Sequence, residues 1–262
     1  MHETPFILAE TGDFAVVFKP PRMHCAPVKQ NAGNTLLDWY AAVFPPVMAV
    51  SGRQRGDGGL THRLDFETHG LVLFAKNQRA LELFQSMQDR GKITKEYSAV
   101  CRMAHVSPCP AGFPPSTPVP GPAGTGFSPK APFVVESFFR PFGPGRKQVR
   151  PVTLKKKHYE TAADQGQPYK TTITGLSVID GNCGVFTLRI TRGFRHQIRC
   201  HLAWIGYPIY GDTLYGQAAE AESGLLALRA HGLCFADPQT SEPLEYRIAP
   251  IGKGGGELPG QS

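Results

Sequence analysis

The sequence has no run of 18 apolar residues, which excludes a transmembrane helix. It has no basic-then-apolar leader. Its first residues, MHETPFILAETGDF, carry acids where a signal peptide needs cations, so secretion is not expected. None of its six cysteines forms a CxxC pair, which leaves a zinc site without support and a disulfide framework poorly supported in a chain of this size. Reduced thiols and a cytoplasmic location are expected, with Cys200 and Cys234 in the core. The glycine stretch Gly56-Asp57-Gly58-Gly59 is followed by no Lys-Ser/Thr, so it is not a phosphate loop; it reads as a flexible lead-in. No internal repeat appears.

What the 262 residues do contain is an apolar fraction of 41% against 19% charged, enough for a packed core. Cations exceed acids, 28 to 21, giving a net charge of +7 and a pI near 9.2. A polyanion such as nucleic acid becomes a better partner than average.

Alternating or continuous apolar segments predict strands at Phe14 onward (ending at Pro20-Pro21), Gly70 to Ala75, Lys95 to Val100, Tyr169 to Ile179, Gly184 to Thr191, Leu225 to Phe235 and Leu244 to Ile248. Helices are predicted from Thr35 to Phe44 with Asn34 as N-cap, from Gln78 to Arg90 with Asn77 as N-cap, and from Gln197 to Ile205. The second should turn Leu81, Phe84 and Met87 inward, and the third Ile198, Leu202 and Ile205. Residues 104 to 157 differ in character, with 12 of the 24 prolines, eight Lys/Arg and one acid. They read as an insertion, largely loop from Ser107 to Pro132, whose basic end from Arg146 to Lys157 could touch phosphates. The tail from Gly252 reads as frayed. Strands outnumber helices, so the expected class is α+β: a mixed, mostly antiparallel sheet with flanking helices. One domain over residues 1–251 is expected.

Two polar clusters could carry chemistry. THRLDFETHG, Thr61 to Gly70, crowds His62, Arg63, Asp65 and Glu67 into a turn before a buried strand. TRGFRHQIRCH, Thr191 to His201, gathers Arg192, Arg195, His196, Gln197 and Arg199 at a strand-to-helix junction. A carboxylate with an arginine beside it stays ionised, and can be a nucleophile, a base or half of a structural pair. Spacing alone does not choose among these.

HRLDFETHGLVLFAK resembles the catalytic motif of the RluA-type pseudouridine synthases, HRLD followed after two residues by T-S-G-L. KITKEYSAV is similar to the K-x-Y-x-A-x-V motif of that family, and GFRHQIRCHLAWIGYPIYGDTLYG to its G-R-x-H-Q-I-R-x-H-L-A-x-x-G-x-P-I-x-G-D-x-x-Y-G motif. FAVVFKPPRMHCAP and AHGLCFADPQTSEPLEY resemble its opening and ending. The resemblance implies an RNA pseudouridine synthase fold and activity, with ribosomal or transfer RNA as partner. It implies Asp65 as the catalytic carboxylate, Tyr97 as the aromatic on the flipped base and a candidate for removing the C5 proton, and Arg199 as the partner of Asp65. Arg63 falls at the position that enters the RNA stack, and Leu233 forms the apolar floor beneath uracil. His62, Arg195, His196 and Gln197 complete the RNA-facing set, with His62 and His196 more suited to holding loops by hydrogen bonds than to acid-base work. His201 reads as structural or surface, and Lys19 as solvated or touching RNA. An isomerisation needs no cofactor and no metal. The family's N-terminal S4 domain is not expected, nor a membrane or obligate protein partner, and a monomer is.

Departures from the pattern are His69 for the usual serine, Phe194 for the usual arginine and Arg229 near a usual histidine; the first two are expected at the pocket rim. The rival reading is an RNA-binding or chaperone protein that uses the same fold without catalysis. A carboxylate-based hydrolase is disfavoured, because Glu67 lies too close to Asp65 in sequence to be a defined second carboxylate.

Overall fold

The computed structural model describes residues 4–28, 33–54, 56–103, 112–114, 132–153, 166–179, 183–216 and 225–252. Two compact units emerge, Met1–Glu96 with Arg229–Ala249, and Tyr97–Leu228 with Pro250–Ser262.

In the first unit, the runs FAVVFK and HGLVLFA have too few polar residues to face water, and both strands are buried along their whole length: β2 (Phe14–Lys19) and β3 (His69–Ala75). They pair antiparallel, from Phe14↔Ala75 to Lys19↔Gly70. The edge strand β1 (Phe6–Glu10), unforeseen from the sequence, pairs antiparallel with β2 and stacks Phe6 on Phe18, 4.9 Å between ring centroids. The strand β9 (Leu228–Ala236) joins β3 in parallel at His69↔Arg229 and Gly70↔Ala230, and β10 (Pro243–Arg247) lies antiparallel on β9. The sheet is thus mixed and mostly antiparallel.

Gly70 is required here. Its φ of 130° is hostile to L side chains, and a Cβ would lie 2.2 Å from the Ala230 carbonyl oxygen. The helix α2 (Gln78–Asp89) begins at Asn77, whose side chain accepts from the Ala80 amide. It buries Ala80, Leu81 and Phe84 against Phe14, Leu73 and Phe235, with Met87 half-buried beside them. The helix α1 (Leu36–Val43) starts one residue later than predicted. Thr35 and Asp38 form a reciprocal capping box, while Asn34 takes a left-handed φ of 62° outside it.

Of the expected flexible lead-in at 56–59, Gly56 is exposed but Asp57, Gly58 and Gly59 are packed. Asp57 is buried and accepts from the Gln54 amide, and the Gly59 carbonyl accepts from Ala75 N–H at 2.7 Å. Gly59 sits so close to β3 that a Cβ would fall 2.0 Å from the Ala75 oxygen. The glycines that suggested mobility are there for close approach.

In the second unit, β4 (Thr94–Arg102, entering the unit at Tyr97), β5 (Phe133–Phe142), β6 (Gln148–Val152), β7 (Tyr169–Val178) and β8 (Cys183–Ile190) form the order β4-β8-β7-β5-β6. β5 pairs antiparallel with β6 and β7, and β7 with β8, with Phe139↔Pro151 and Ser137↔Tyr169 among the partners. This corrects the insertion: its second half, 132–153, is a sheet hairpin. Pro141 and Pro151 masked that pattern, yet β6 ends the strand order, where a missing N–H costs little. Residues 104–111, 115–131 and 154–157 of the expected insertion, like 158–165 and the tail after 252, lie outside the described residues.

The helix α3 (Gln197–Trp204) is buried at every position, not along one face. Its polar side chains therefore need partners. His201 has both ring nitrogens within 2.9 Å of hydroxyls, those of Ser137 and Thr171. Burial pushes its pKa down to about 3, so it is neutral and structural. Cys200 is buried as expected, Cys234 only partly, and no disulfide forms among the described cysteines. Among the described residues no helix is long and apolar enough to cross a membrane.

Candidate active site

In the first unit the segment before β3 is laced to it. Leu60 bridges Phe74, Thr61 bonds the Leu73 carbonyl through both N–H and hydroxyl, and His62 Nε2 accepts from the Leu73 amide at 3.3 Å. The chain then turns through Asp65. Three main-chain anchors hold that turn. Leu64 exchanges hydrogen bonds with Cys25 Sγ, 3.2 and 3.5 Å, Phe66 O accepts from Lys19 Nζ at 3.2 Å, and Thr68 N–H closes the turn on Asp65 O at 3.2 Å. Asp65 itself is half-buried. A carboxylate on a backbone pinned on both sides is pre-positioned for chemistry.

Lys19 is the residue that sequence reasoning misplaced. It is fully buried, and its ammonium donates to the carbonyls of Pro20 (2.9 Å), Met23 (2.8 Å) and Phe66. Burial lowers its pKa to about 8, against an upward pull from Cys25, Asp65 and Glu67. Below that pH it places a cation in the field of Asp65. The signal was available: a lysine ending a wholly apolar strand before Pro-Pro cannot easily leave the core.

His62 and His69 are held neutral. Burial drives His62 well below its ordinary value, with Lys95 adding to the effect. His69 falls to about 3 through burial, then through Arg229 and Lys19. His69 is therefore an interior residue, not a rim residue, at 6% exposure. Arg63 is exposed; its guanidinium donates to Gln54 Oε1 at 2.9 Å and stands 3.9 Å from Asp57. Leu233, on β9, lies in the apolar cluster with Phe14, Leu73 and Phe235.

In the second unit Tyr97 enters on β4 and is 6% exposed. Between β8 and α3 the chain makes a tight turn in which His196 adopts φ 56°, and its Nδ1 lies 3.2 Å from the Tyr215 hydroxyl. Gln197 is spent internally. Its Oε1 accepts from Phe194 N–H, and its amide nitrogen donates to Lys170 O and Thr171 Oγ1. With 2% exposure, it shapes the turn instead of meeting RNA. Phe194, at the place of the usual arginine, stacks on Phe139 at 5.0 Å and 9°. Arg195 is exposed, but donates to the carbonyls of Arg146 (2.6 Å) and Gln148 (3.3 Å).

Arg199, 1% exposed, forms a bidentate pair with Asp212: Nε to Oδ2 and Nη2 to Oδ1, both 2.8 Å. Asp212 Oδ1 also accepts from the amides of Leu214 and Tyr215, so one buried carboxylate orients the guanidinium and caps the next turn. Sequence reasoning named Asp65 as the arginine's partner and passed over Asp212, although the G-D-x-x-Y-G run contains it. Among the described residues no group of three or more His, Cys, Asp or Glu could hold a metal ion.

The family model for RNA pseudouridylate synthase matches residues 13–204. The chain is 27% identical over 257 residues to the uncharacterized RNA pseudouridine synthase YlyB of Bacillus subtilis, covering 96% of this chain and 71% of that one. It is 28% identical over 261 residues to ribosomal large subunit pseudouridine synthase D of Haemophilus influenzae, covering 94% and 67%. In fold it is similar to human RNA pseudouridylate synthase domain containing 1, with a TM-score of 0.61 at 21% identity over 94% of this chain and 84% of that one.

Proposed function

This chain belongs to the RNA pseudouridylate synthase family and is an RNA pseudouridine synthase, and we propose that Asp65 is the carboxylate through which it acts on uridine in ribosomal or transfer RNA. Ribosomal RNA is favoured by the relative named for the large ribosomal subunit. The observation that carries the assignment is the Asp65 turn, pinned at Leu64, Phe66 and Thr68 with Asp65 itself half-buried.

In the proposed reaction the target base leaves its stack, at a cost of a few kcal/mol, and Arg63 takes its place. Tyr97 recovers about 1–3 kcal/mol by stacking on the flipped base. Leu233 supplies the apolar floor. Asp65 starts the release of uracil from C1′, by elimination through a glycal or by addition to C1′. The N1–C1′ bond breaks, the base rotates and C5–C1′ forms. Tyr97 removes the C5 proton and N1 gains one, so the change is an isomerisation. Arg199, oriented by Asp212, is the cation of the catalytic set, and Arg195 and His196 support the RNA-facing turn. The single catalytic domain acts as a cytoplasmic monomer.

The test is pseudouridine mapping on total RNA from cells lacking the gene, restored with wild type or Asp65→Asn. A site that vanishes and returns only with wild type supports the proposal and names the substrate. Purified protein that forms no pseudouridine in unmodified transcripts, or an Asp65→Asn variant that restores the site, refutes it.

A further inference from the structure

We propose that the turn joining β5 to β6, residues 143–147, is a contact surface for the RNA sugar-phosphate backbone, and that Arg195 holds it in its binding shape; the choice of RNA rests on the synthase reading above.

The last rung of the hairpin is Phe142↔Gln148. The turn beyond it reads Gly-Pro-Gly-Arg-Lys and is exposed throughout. Arg146 adopts φ 54°, a conformation a non-glycine residue keeps only when its surroundings impose it. Here the imposing contact is identifiable: Arg195 Nη2 donates to Arg146 O at 2.6 Å and to Gln148 O at 3.3 Å. Arg195 is itself followed by a second left-handed residue, His196, at φ 56°. A guanidinium bound to two neutral carbonyls brings a third cation to Arg146 and Lys147. No acid offsets them within the hairpin. Its one carboxylate, Glu136, lies on β5 ten positions from Arg146 and pairs with Lys170 at 3.3 Å. Cations gathered by a specific, strained geometry repel one another until an anion arrives. The tip has no large apolar side chain, which disfavours a lipid surface, and no amide or carboxylate to read base edges. The chemistry it fits is therefore sequence-independent phosphate contact.

The experiment measures anisotropy of a fluorescein-labelled, single-stranded 20-nucleotide RNA of mixed sequence across a salt series. All proteins carry Asp65→Asn so that turnover does not intervene, and each variant must melt with its parent. Removing two phosphate contacts with Arg146→Ala/Lys147→Ala should make the log–log salt slope shallower by about 1.4 and weaken binding about 25-fold at 0.1 M salt. An unchanged slope overturns the proposal. Arg195→Met should weaken binding alone, yet change nothing further in the Arg146→Ala/Lys147→Ala background. A further loss of about 0.7 in slope there would make Arg195 a phosphate ligand and overturn its role as a latch. The two readings fail separately. A wild-type enzyme that forms no pseudouridine sinks the synthase assignment, whereas the salt slopes report only on the turn.

Discussion

Asp212 gives the sharpest quantitative test, because it carries two separable loads. Its carboxylate forms a bidentate pair with Arg199, with side-chain exposures of 1% and 0%. Oδ1 also accepts from two backbone amides, Leu214 at 2.9 Å and Tyr215 at 3.0 Å. Asp212→Asn removes the charge and keeps an acceptor for the amides. It should cost about 3–5 kcal/mol, the usual penalty for leaving one member of a buried pair alone. Asp212→Ala also abandons two buried N–H groups and should cost about 2 kcal/mol more. For a chain of this size, at about 2–4 °C per kcal/mol, the Asn variant should melt roughly 10 °C below wild type. Urea unfolding with an unchanged m-value is the assay. The cycle is closed with Arg199→Met and with Arg199→Met/Asp212→Asn, which should lose clearly less than the sum of the single variants. The reasoning is refuted if Asp212→Asn stays within about 1 kcal/mol of wild type, if Asp212→Ala is no worse than Asp212→Asn, or if the double variant is additive.

Lys19→Met leaves three carbonyls without their donor, one buried and two part-buried, and should cost about 3 kcal/mol. It should lower kcat more than KM, since Phe66 beside Asp65 loses its anchor; a variant with wild-type stability and kcat would contradict that account. Gly70→Ala should destabilise by at least about 2 kcal/mol by forcing β3 off β9, measured by chemical denaturation; an unperturbed midpoint would mean the close approach is not required. The neutral histidines set an acid limit. His69 and His201 sit near pKa 3 in the folded state against about 6.5 unfolded. Their folded pKa values are depressed, so their contribution is complete above pH 6.5 and is lost as pH falls toward 3. At pH 5 each should cost about 2 kcal/mol relative to pH 7.5. His201→Gln should remove about half of that loss, and equal acid sensitivity in the variant would refute the assignment.

Local chemistry was enough for much of the scaffold. Asn77 before QRALELF, with Gly91 beyond, marked α2 almost to the residue, because a cap and a helical stripe are properties of neighbouring positions. The apolar runs of β2 and β3 were equally legible. So were the two polar clusters, since Asp65 and Arg199 stand in dense motifs that order along the chain preserves.

What only the tertiary structure decided depended on contacts distant in sequence. The apolar strand hints at burial of Lys19, but not at its partner, the carbonyl of Phe66, 47 residues away. The β5–β6 hairpin was hidden by Pro151, tolerable because β6 ends the strand order, and by Pro141, which lies beyond the part of β5 that pairs with β7. The glycines at 58 and 59 suggested slack, but the proximity of Val47 and Ala75 turns them into packing residues. Asp212 was a polar residue with no visible task, and Arg195 was expected only to face RNA, because a hydrogen-bond partner 13 or 49 positions away leaves no local trace in a sequence. Periodicity and capping act between near neighbours and can be read along the chain; burial, ion-pair partners and close backbone approach are assigned only when the chain has folded.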